Sequence, residues 1–325
     1  MNLHHNKELF TDAITATAQR LDILEIYVEK DYWICYALKL IFEGAIKDEV
    51  IFKGGTALSK CYKFIERFSE DIDLVVIRKE EETGNQLKAK LKKITKEINT
   101  PFVEVEMEGI TNKMGMIRKI AYNYPKIFKG NYGQVRDAII IEATWLGYFE
   151  PHTKRVLNTY IYDMMVANNQ MTLAEEYHLL PFDALVLDSR RTLCEKIMSL
   201  VRFSHTETPI EDLNNKIRHV YDIHQLLKDE TVQKFFTSEA YDKMLLQVAN
   251  DDVQSFKNNN DWLKYHPKEA LIFNESGETW KQLKDTYQNN FKFLVYGELP
   301  NEEEVFLTII KVSKRLTQVK WEVVF

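Results

Sequence analysis

The sequence predicts an α+β protein, with a mixed-sheet α/β domain and N-terminal helices over residues 1–187 and a helical domain over 188–325. Three observations carry that prediction. Between residues 102 and 167 apolar residues alternate and β-branched residues are frequent, as in Val103-Glu104-Val105-Glu106-Met107 and Ala138-Ile139-Ile140-Ile141-Glu142. After Asp188 apolar residues recur at helical spacing almost to the C-terminus. Upstream of both, Phe52-Lys53-Gly54-Gly55-Thr56-Ala57-Leu58-Ser59 followed by Arg67-Phe68-Ser69-Glu70-Asp71-Ile72-Asp73-Leu74 reads as strand, glycine turn, helix and second strand.

The elements follow in order. Residues 7–44 form two helices with a break near Asp22, the second marked by Ile26, Trp33, Ala37, Leu40 and Ile41. Val50-Ile51-Phe52 is a short strand running into the glycine turn, and Thr56 is the expected N-cap of the next helix, whose inner face is Leu58, Cys61, Ile65 and Phe68. A strand covers Asp71 to Ile77, and a charged helix runs from about Glu80 to Glu97 with Leu87, Leu91 and Ile94 inward. Strands are expected around 102–108, 114–124, 135–144 and 155–166, and a last one at Ala184-Leu185-Val186-Leu187. The helical domain is marked by Leu193/Ile197/Leu200, by Ile210, Leu213, Ile217, Val220, His224 and Leu227, by Trp280 through Leu294, and by Val305, Ile309, Val312 and Leu316.

The glycine turn and the aspartate strand carry the chemistry. A glycine turn that opens a helix brings backbone N–H groups, and the positive end of the helix, up to a phosphate. Asp71 and Asp73 lie two apart on a strand and leave by one face. Paired carboxylates repel unless a cation joins them, and hard oxygen donors suit Mg²⁺. A phosphate cradle beside a metal-binding aspartate pair is the minimal equipment for nucleotidyl transfer. Glu142 is the candidate third carboxylate. It ends the apolar run Ile139-Ile140-Ile141, where an unpaired charge is costly. The other reading is an outward-facing glutamate on a half-exposed strand, and Asp137 is a weaker substitute.

Composition sets limits. At 325 residues the chain holds about two domains. A formal charge of −6 excludes a protein that coats nucleic acid by bulk charge, so any such contact is local. Cys35, Cys61 and Cys194 are far apart and show neither zinc spacing nor a disulfide framework. The N-terminus lacks the apolar core of a signal peptide, and no apolar run reaches the ~18 residues of a membrane helix. A cytoplasmic protein with no membrane contact is expected.

The two boxes at 53–59 and 67–74 resemble those of the AbiEii/AbiGii nucleotidyltransferase toxins, and the wider set of tuberculosis MenT toxins is similar. Arg191-Thr192-Leu193-Cys194-Glu195-Lys196, Arg218-His219-Val220-Tyr221-Asp222-Ile223-His224-Gln225-Leu226 and Val28-Glu29-Lys30-Asp31-Tyr32-Trp33 agree with the same family, so the resemblance spans about residues 25–230. It implies a polymerase β-like nucleotidyltransferase fold and a toxin of an abortive-infection system, a phage defence encoded beside an antitoxin that is also a repressor. It also implies transfer of a nucleoside monophosphate from NTP to an acceptor, for some members the 3′ end of tRNA. Carried onto this chain, it makes Gly54, Gly55, Thr56 and Ser59 the phosphate turn, Asp71 and Asp73 catalytic metal ligands, Lys196 a triphosphate ligand and Asp222 an active-site residue. Asp222 would orient Lys196, accept the proton of the attacking hydroxyl, or hold the sugar. The spacing of 15 residues between Gly55 and Asp71 is longer than in minimal polymerase-type enzymes.

Other expectations are structural or open. Glu29, Lys30 and Asp31 read as structural, and Arg67 and Ser69 as phosphate contacts or as a cap and an ion pair. Lys88, Lys90, Lys92, Lys93 and Lys96 read as a solvated helix face. Lys113, Arg118, Lys119, Lys126 and Lys129, interleaved with Tyr122, Tyr124 and Phe128, read as a hairpin surface or as a platform stacking unpaired RNA bases. Two other functions compete: transfer to a protein or aminoglycoside-like acceptor, and a non-catalytic NTP-sensing module. Trp262, Trp280, Tyr287, Phe291 and Phe293 are expected in the core of the last helices.

Overall fold

In the computed structural model, which describes residues 1–130 and 135–325, the chain divides into two compact units. The first comprises Met1–Tyr62, Phe68–Trp145 and His152–Leu187; the second comprises Lys63–Arg67, Leu146–Pro151 and Asp188–Phe325.

The first unit opens with α1 (Lys7–Leu21) and α2 (Glu25–Glu43), separated by Asp22 in the left-handed conformation at φ 53°. The described strands are β1 (Val50–Lys53), β2 (Ile72–Val76), β3 (Val103–Val105), β4 (Ile117–Asn123), β5 (Ile139–Thr144), β6 (His152–Leu157) and β7 (Phe182–Leu187). They form one mixed sheet in the order β3-β4-β5-β2-β1-β7-β6. β1 pairs antiparallel with β2 and parallel with β7, while β2 pairs parallel with β5. The four central strands β5, β2, β1 and β7 are therefore the apolar ones: Ile139, Ile141, Ile72, Leu74, Val75, Ile51, Phe52 and Val186 are all buried. Such burial is expected of parallel-paired central strands covered on both faces. The single helical turn α3 (Gly54–Ala57) follows β1 directly, and a wider π turn continues it to Tyr62. α4 (Gly84–Glu97) starts behind Thr83, whose reciprocal capping box with Gln86 sets its beginning later than the charge pattern suggests.

The expected strand 155–166 is corrected. β6 ends at Leu157, and α5 (Tyr160–Ala167) begins at once, with the Thr159 hydroxyl accepting the Tyr162 N–H. Ile161, Met164 and Met165 are buried at helical spacing, so a capped turn prevails over the strand propensity of Tyr160-Ile161-Tyr162. α6 (Met171–Glu176) completes this unit.

The second unit is helical: α7 (Ser189–Phe203), α8 (Pro209–Asn215), α9 (Ile217–Leu226), α10 (Glu230–Phe236), α11 (Glu239–Ser255), α12 (Leu271–Asn274), α13 (Ser276–Asp285) and α14 (Glu302–Leu316). Leu193, Ile197, Leu213, Ile217, Val220, Leu245, Leu283, Val305, Ile309 and Val312 are buried among them. Trp262, Trp280, Tyr287 and Phe291 are core residues as expected, but Phe293 is 70% exposed. Phe293 is one residue off the stripe that buries Phe291 and Leu294 in the same tight turn. Among the described residues no helix is long and apolar enough to cross a membrane.

Buried and half-buried histidines, His4 and His224 among them, should make stability pH-dependent. His4 and His224 have pKa values lowered to about 4, mainly by burial and secondarily by His5 and Lys228 respectively. A folded pKa below the unfolded value of about 6.5 means that the unfolded chain binds more protons in between. Stability should therefore fall as pH drops from about 6.5 towards 4. Urea midpoints at pH 7, 5.5 and 4.5 check this, and the decline should shrink in His224→Gln, which cannot take up the proton.

Candidate active site

β2 presents Asp73 on the face opposite Ile72 and Leu74, and Asp71 immediately precedes the strand. Strand register builds a row of charges around it. Lys53 is the β1 partner of Asp73, Glu142 its β5 partner, and Lys119 the β4 partner of Glu142. Directly paired residues share a face, so the row reads Lys119, Glu142, Asp73, Lys53 across four adjacent strands. Two neighbouring carboxylates lie between two outer ammonium groups, and Asp71 adds a third acid two residues from Asp73.

This arrangement perturbs Asp73 strongly. Its carboxyl is pushed up to about 7, first by burial, then by Asp71 and Glu142, against the opposing pull of Lys53 and Lys119. A cation bound beside Asp73 would favour its ionised form. Asp71 Oδ1 is buried and accepts no hydrogen bond from a described residue; an Arg136 guanidinium nitrogen lies 3.6 Å from it.

Gly54 shapes the wall of the site. Its φ is +80°, and a Cβ at this position would overlap Asp73 Oδ2. Only glycine combines that backbone with that approach. Gly54→Ala should cost about 2 kcal/mol of stability and at least about tenfold in activity. Gly147→Ala is the control: its φ is +73°, but nothing lies within 4 Å of the added Cβ, so only the backbone strain is incurred. Chemical denaturation and turnover of the two variants separate strain from intrusion on Asp73.

The glycine turn and the aspartate strand are tied together by Thr56. It is not an N-cap, since the helical turn begins at Gly54 after Lys53. Its hydroxyl donates to the Asp71 carbonyl at 2.6 Å and shares a hydrogen bond with Ser69 Oγ at 3.1 Å. Thr56 and Ser59 are both buried. Gly55 follows Gly54 in the same turn, which brings Gly54, Gly55, Thr56, Asp71 and Asp73 into one locus.

Glu142 shares that locus but not in the manner its sequence context suggested. It is 34% exposed and its counter-charge is Lys119, 2.7 Å away, so it is not an isolated buried acid. Asp137 is 64% exposed and pairs with Lys126 at 3.1 Å. Among the described residues no three His, Cys, Asp or Glu side chains converge into a ready-made metal cage. The donors nevertheless fit a magnesium site of the open kind, in which one or two carboxylates hold the ion and substrate phosphates and waters fill the remaining positions. The orphaned Asp71 oxygen and the raised Asp73 pKa are the physical grounds for that fit.

A family model described as a nucleotidyl transferase AbiEii toxin of type IV toxin–antitoxin systems matches residues 38–311, most of the chain. The chain belongs to the AbiEii nucleotidyl transferase toxin family. No curated protein matches it at a significant level. Family membership makes it a nucleotidyl transferase toxin, with a nucleotide as substrate and an antitoxin as counterpart.

The remaining two residues carried over from the AbiEii boxes, Lys196 and Asp222, meet within the second unit. Asp222 on α9 is fully buried: its Oδ1 accepts from Arg67 Nε at 2.7 Å and its Oδ2 from Arg67 Nη2 at 2.8 Å, while Lys196 Nζ on α7 lies 2.6 Å from the same Oδ2. Burial alone would raise the Asp222 pKa, but Arg67 and Lys196 override it and hold the carboxyl well below the ordinary range. Asp222 is thus the shared counter-charge of Arg67 and Lys196. Arg67 is a structural ion pair, and its segment is fixed further by Tyr296 N–H donating to the Glu66 carbonyl at 3.0 Å. His219 is pushed well below its normal pKa by burial first and Lys196 second, and so is neutral. Arg191 of the same AbiEii box is buried and bonded to Asp251 at 2.7 Å, which makes it a brace between α7 and α11.

The N-terminal AbiEii box is structural throughout. Glu29 accepts the N–H groups of Ile127 at 2.6 Å and Phe128 at 3.1 Å. Asp31 accepts from Lys60 at 2.5 Å and from the Tyr160 N–H at 2.8 Å, and Lys30 pairs with Glu70. The base-stacking platform is corrected: Tyr122 and Tyr124 are 4% and 5% exposed, so neither ring is free to meet a base. Both fall inward on a strand and its extension, packing with Phe102 and Trp33. Lys90 also leaves the expected solvated face. It is buried, with Glu82 at 2.5 Å and Glu49 at 2.9 Å as partners.

Proposed function

We propose that this AbiEii-family toxin is a magnesium-dependent enzyme that transfers a nucleoside monophosphate from NTP to an RNA hydroxyl, a tRNA 3′ end being the leading acceptor. The observation that carries the reading is the Asp71–Asp73 pair beneath Gly54, with Asp73 pushed up to about 7 by burial and by its acidic neighbours. Such a pair is held together for a cation or not at all. Asp71 and Asp73 would hold the ion, with Glu142 joining them once it releases Lys119. When bound, the metal supplies charge neutralisation for the triphosphate and lowers the pKa of an acceptor hydroxyl.

The chain's own residues do the rest. Backbone N–H groups of Gly54 and Gly55, at the start of a helical turn, face phosphate oxygens. Thr56 keeps that turn in register with Asp71 through its 2.6 Å bond. Lys196, its ammonium fixed by Asp222, is the proposed second cation for the triphosphate. Transfer of this kind depends on positioning and charge neutralisation more than on covalent chemistry.

A labelling assay tests the reading. Purified protein is incubated with total RNA and each α-labelled NTP in Mg²⁺. Label in a tRNA-sized band, lost on chelation, supports it. The burial of Tyr122 and Tyr124 removes one route to RNA recognition, which gives weight to the competing acceptors. Label in protein, or in an added aminoglycoside, would move the assignment there. Mg²⁺-dependent NTP binding without pyrophosphate release would favour the sensing module.

A further inference from the structure

Arg136 stands apart from every charged residue discussed above. Its main chain is clamped at both polar atoms. The N–H donates to the two Glu70 oxygens at 3.1 and 3.0 Å, and the carbonyl accepts from Lys30 Nζ at 2.5 Å. Lys30 and Glu70 are themselves an ion pair with side chains 0% and 2% exposed. Burying such a pair is costly in desolvation, and Arg136 is the main-chain position that it holds at both polar atoms. The Arg136 side chain differs in kind, being 41% exposed. Its guanidinium lies 3.6 Å from Asp71 Oδ1 and 3.8 Å from Glu70 Oε1, beyond hydrogen-bond reach of either. A main chain held at both polar atoms thus carries a partly exposed cation beside the Asp71 oxygen that no described residue hydrogen-bonds.

We infer that Arg136 is a phosphate-binding residue of the transfer site, a surrogate cation for Asp71 that is exchanged for metal when nucleotide enters. The inference rests on reading Asp71 and Asp73 as the metal ligands. A divalent cation and a guanidinium compete for one carboxylate oxygen, and once the metal is seated the two positive charges repel. The incoming nucleotide supplies the alternative partner, since the planar fork of arginine matches phosphate oxygens in a bidentate manner. The exchange keeps the site near charge balance in both states.

Two opposite shifts in binding are expected of Arg136→Met. Affinity for Mn²⁺ alone, measured by calorimetry, should rise about threefold because a competitor has gone. Affinity for each NTP in Ca²⁺, an ion chosen so that binding is read without turnover, should fall about tenfold as a charge-assisted contact is lost. Arg136→Lys retains the charge without the fork. It should bind Mn²⁺ as wild type does and NTP with intermediate affinity, and it serves alone if the methionine variant does not fold. Unchanged affinities, or a shift in only one of the two, would overturn the exchange. Wild-type protein that binds NTP in Ca²⁺ but no Mn²⁺ would overturn the metal site itself, a result distinct from either variant's.

Discussion

Asp71→Ala and Asp73→Ala should each lower nucleotidyl transfer by at least about a thousandfold, and each should abolish toxicity, while the urea midpoint holds or rises. The unusual half of this expectation is the stability. Carboxylates placed for structure are accompanied by donors, as Glu29 is by two backbone N–H groups and Asp31 by Lys60 and the Tyr160 N–H. Asp73 instead adjoins Asp71 and Glu142, and Asp71 keeps a buried oxygen that accepts no hydrogen bond from a described residue. Deleting one acid from such a group relieves repulsion. Loss of function with no loss of stability is the pattern of a site strained for chemistry. Equilibrium denaturation beside a label-transfer assay checks both halves. A soluble Asp73→Ala protein with wild-type turnover would remove the pair from the reaction, and a large drop in midpoint would return it to the scaffold.

The opposite pattern is expected of Asp222→Ala, which should cost about 3–5 kcal/mol because the buried Arg67 and Lys196 then face each other with no counter-charge between them. Asp222→Asn should fall between, keeping hydrogen-bond acceptance but not the charge. Buried ion clusters are replaceable by apolar groups of similar volume with little net loss. The triple variant Arg67→Met, Lys196→Met, Asp222→Leu should therefore recover most of the stability that the single change removes. It should still be inactive if Lys196 holds phosphate. Urea titrations of the single and triple variants separate the two contributions. A single variant within about 1 kcal/mol of wild type would mean that water compensates the two cations.

Several features were legible before any fold was known, and they share a cause. The glycine turn, the strand that carries Asp73, the breaks at Asp22 and Asp188 and the inner stripes of α4, α7, α9 and α14 are all set by neighbours within a few residues. Local spacing determines such features because a strand or helix fixes which side chains share a face. Where two local signals competed, the pattern misled. Tyr160-Ile161-Tyr162 has strand propensity, yet the Thr159 cap and the inward Met164 and Met165 make it helix.

Partners were not legible. Nothing near Asp222 indicates Arg67, which lies 155 residues earlier in the chain, and nothing near Arg136 indicates Glu70 or Asp71. The same holds for Lys90, whose place on a charged helix predicts exposure but which finds Glu49 and Glu82 instead.

The sequence by itself determined the family, and it supplied the residues of the proposed site: a glycine turn and a pair of aspartates two apart. Only the tertiary structure decided the charge states and counter-ions. Parallel pairing of β2 with β5 set Glu142 beside Asp73, antiparallel pairing with β1 set Lys53 on its other side, and the row of four charges followed. The physical reason is range. Backbone geometry acts over a few residues, whereas burial and Coulomb interaction depend on which distant segments fold against each other.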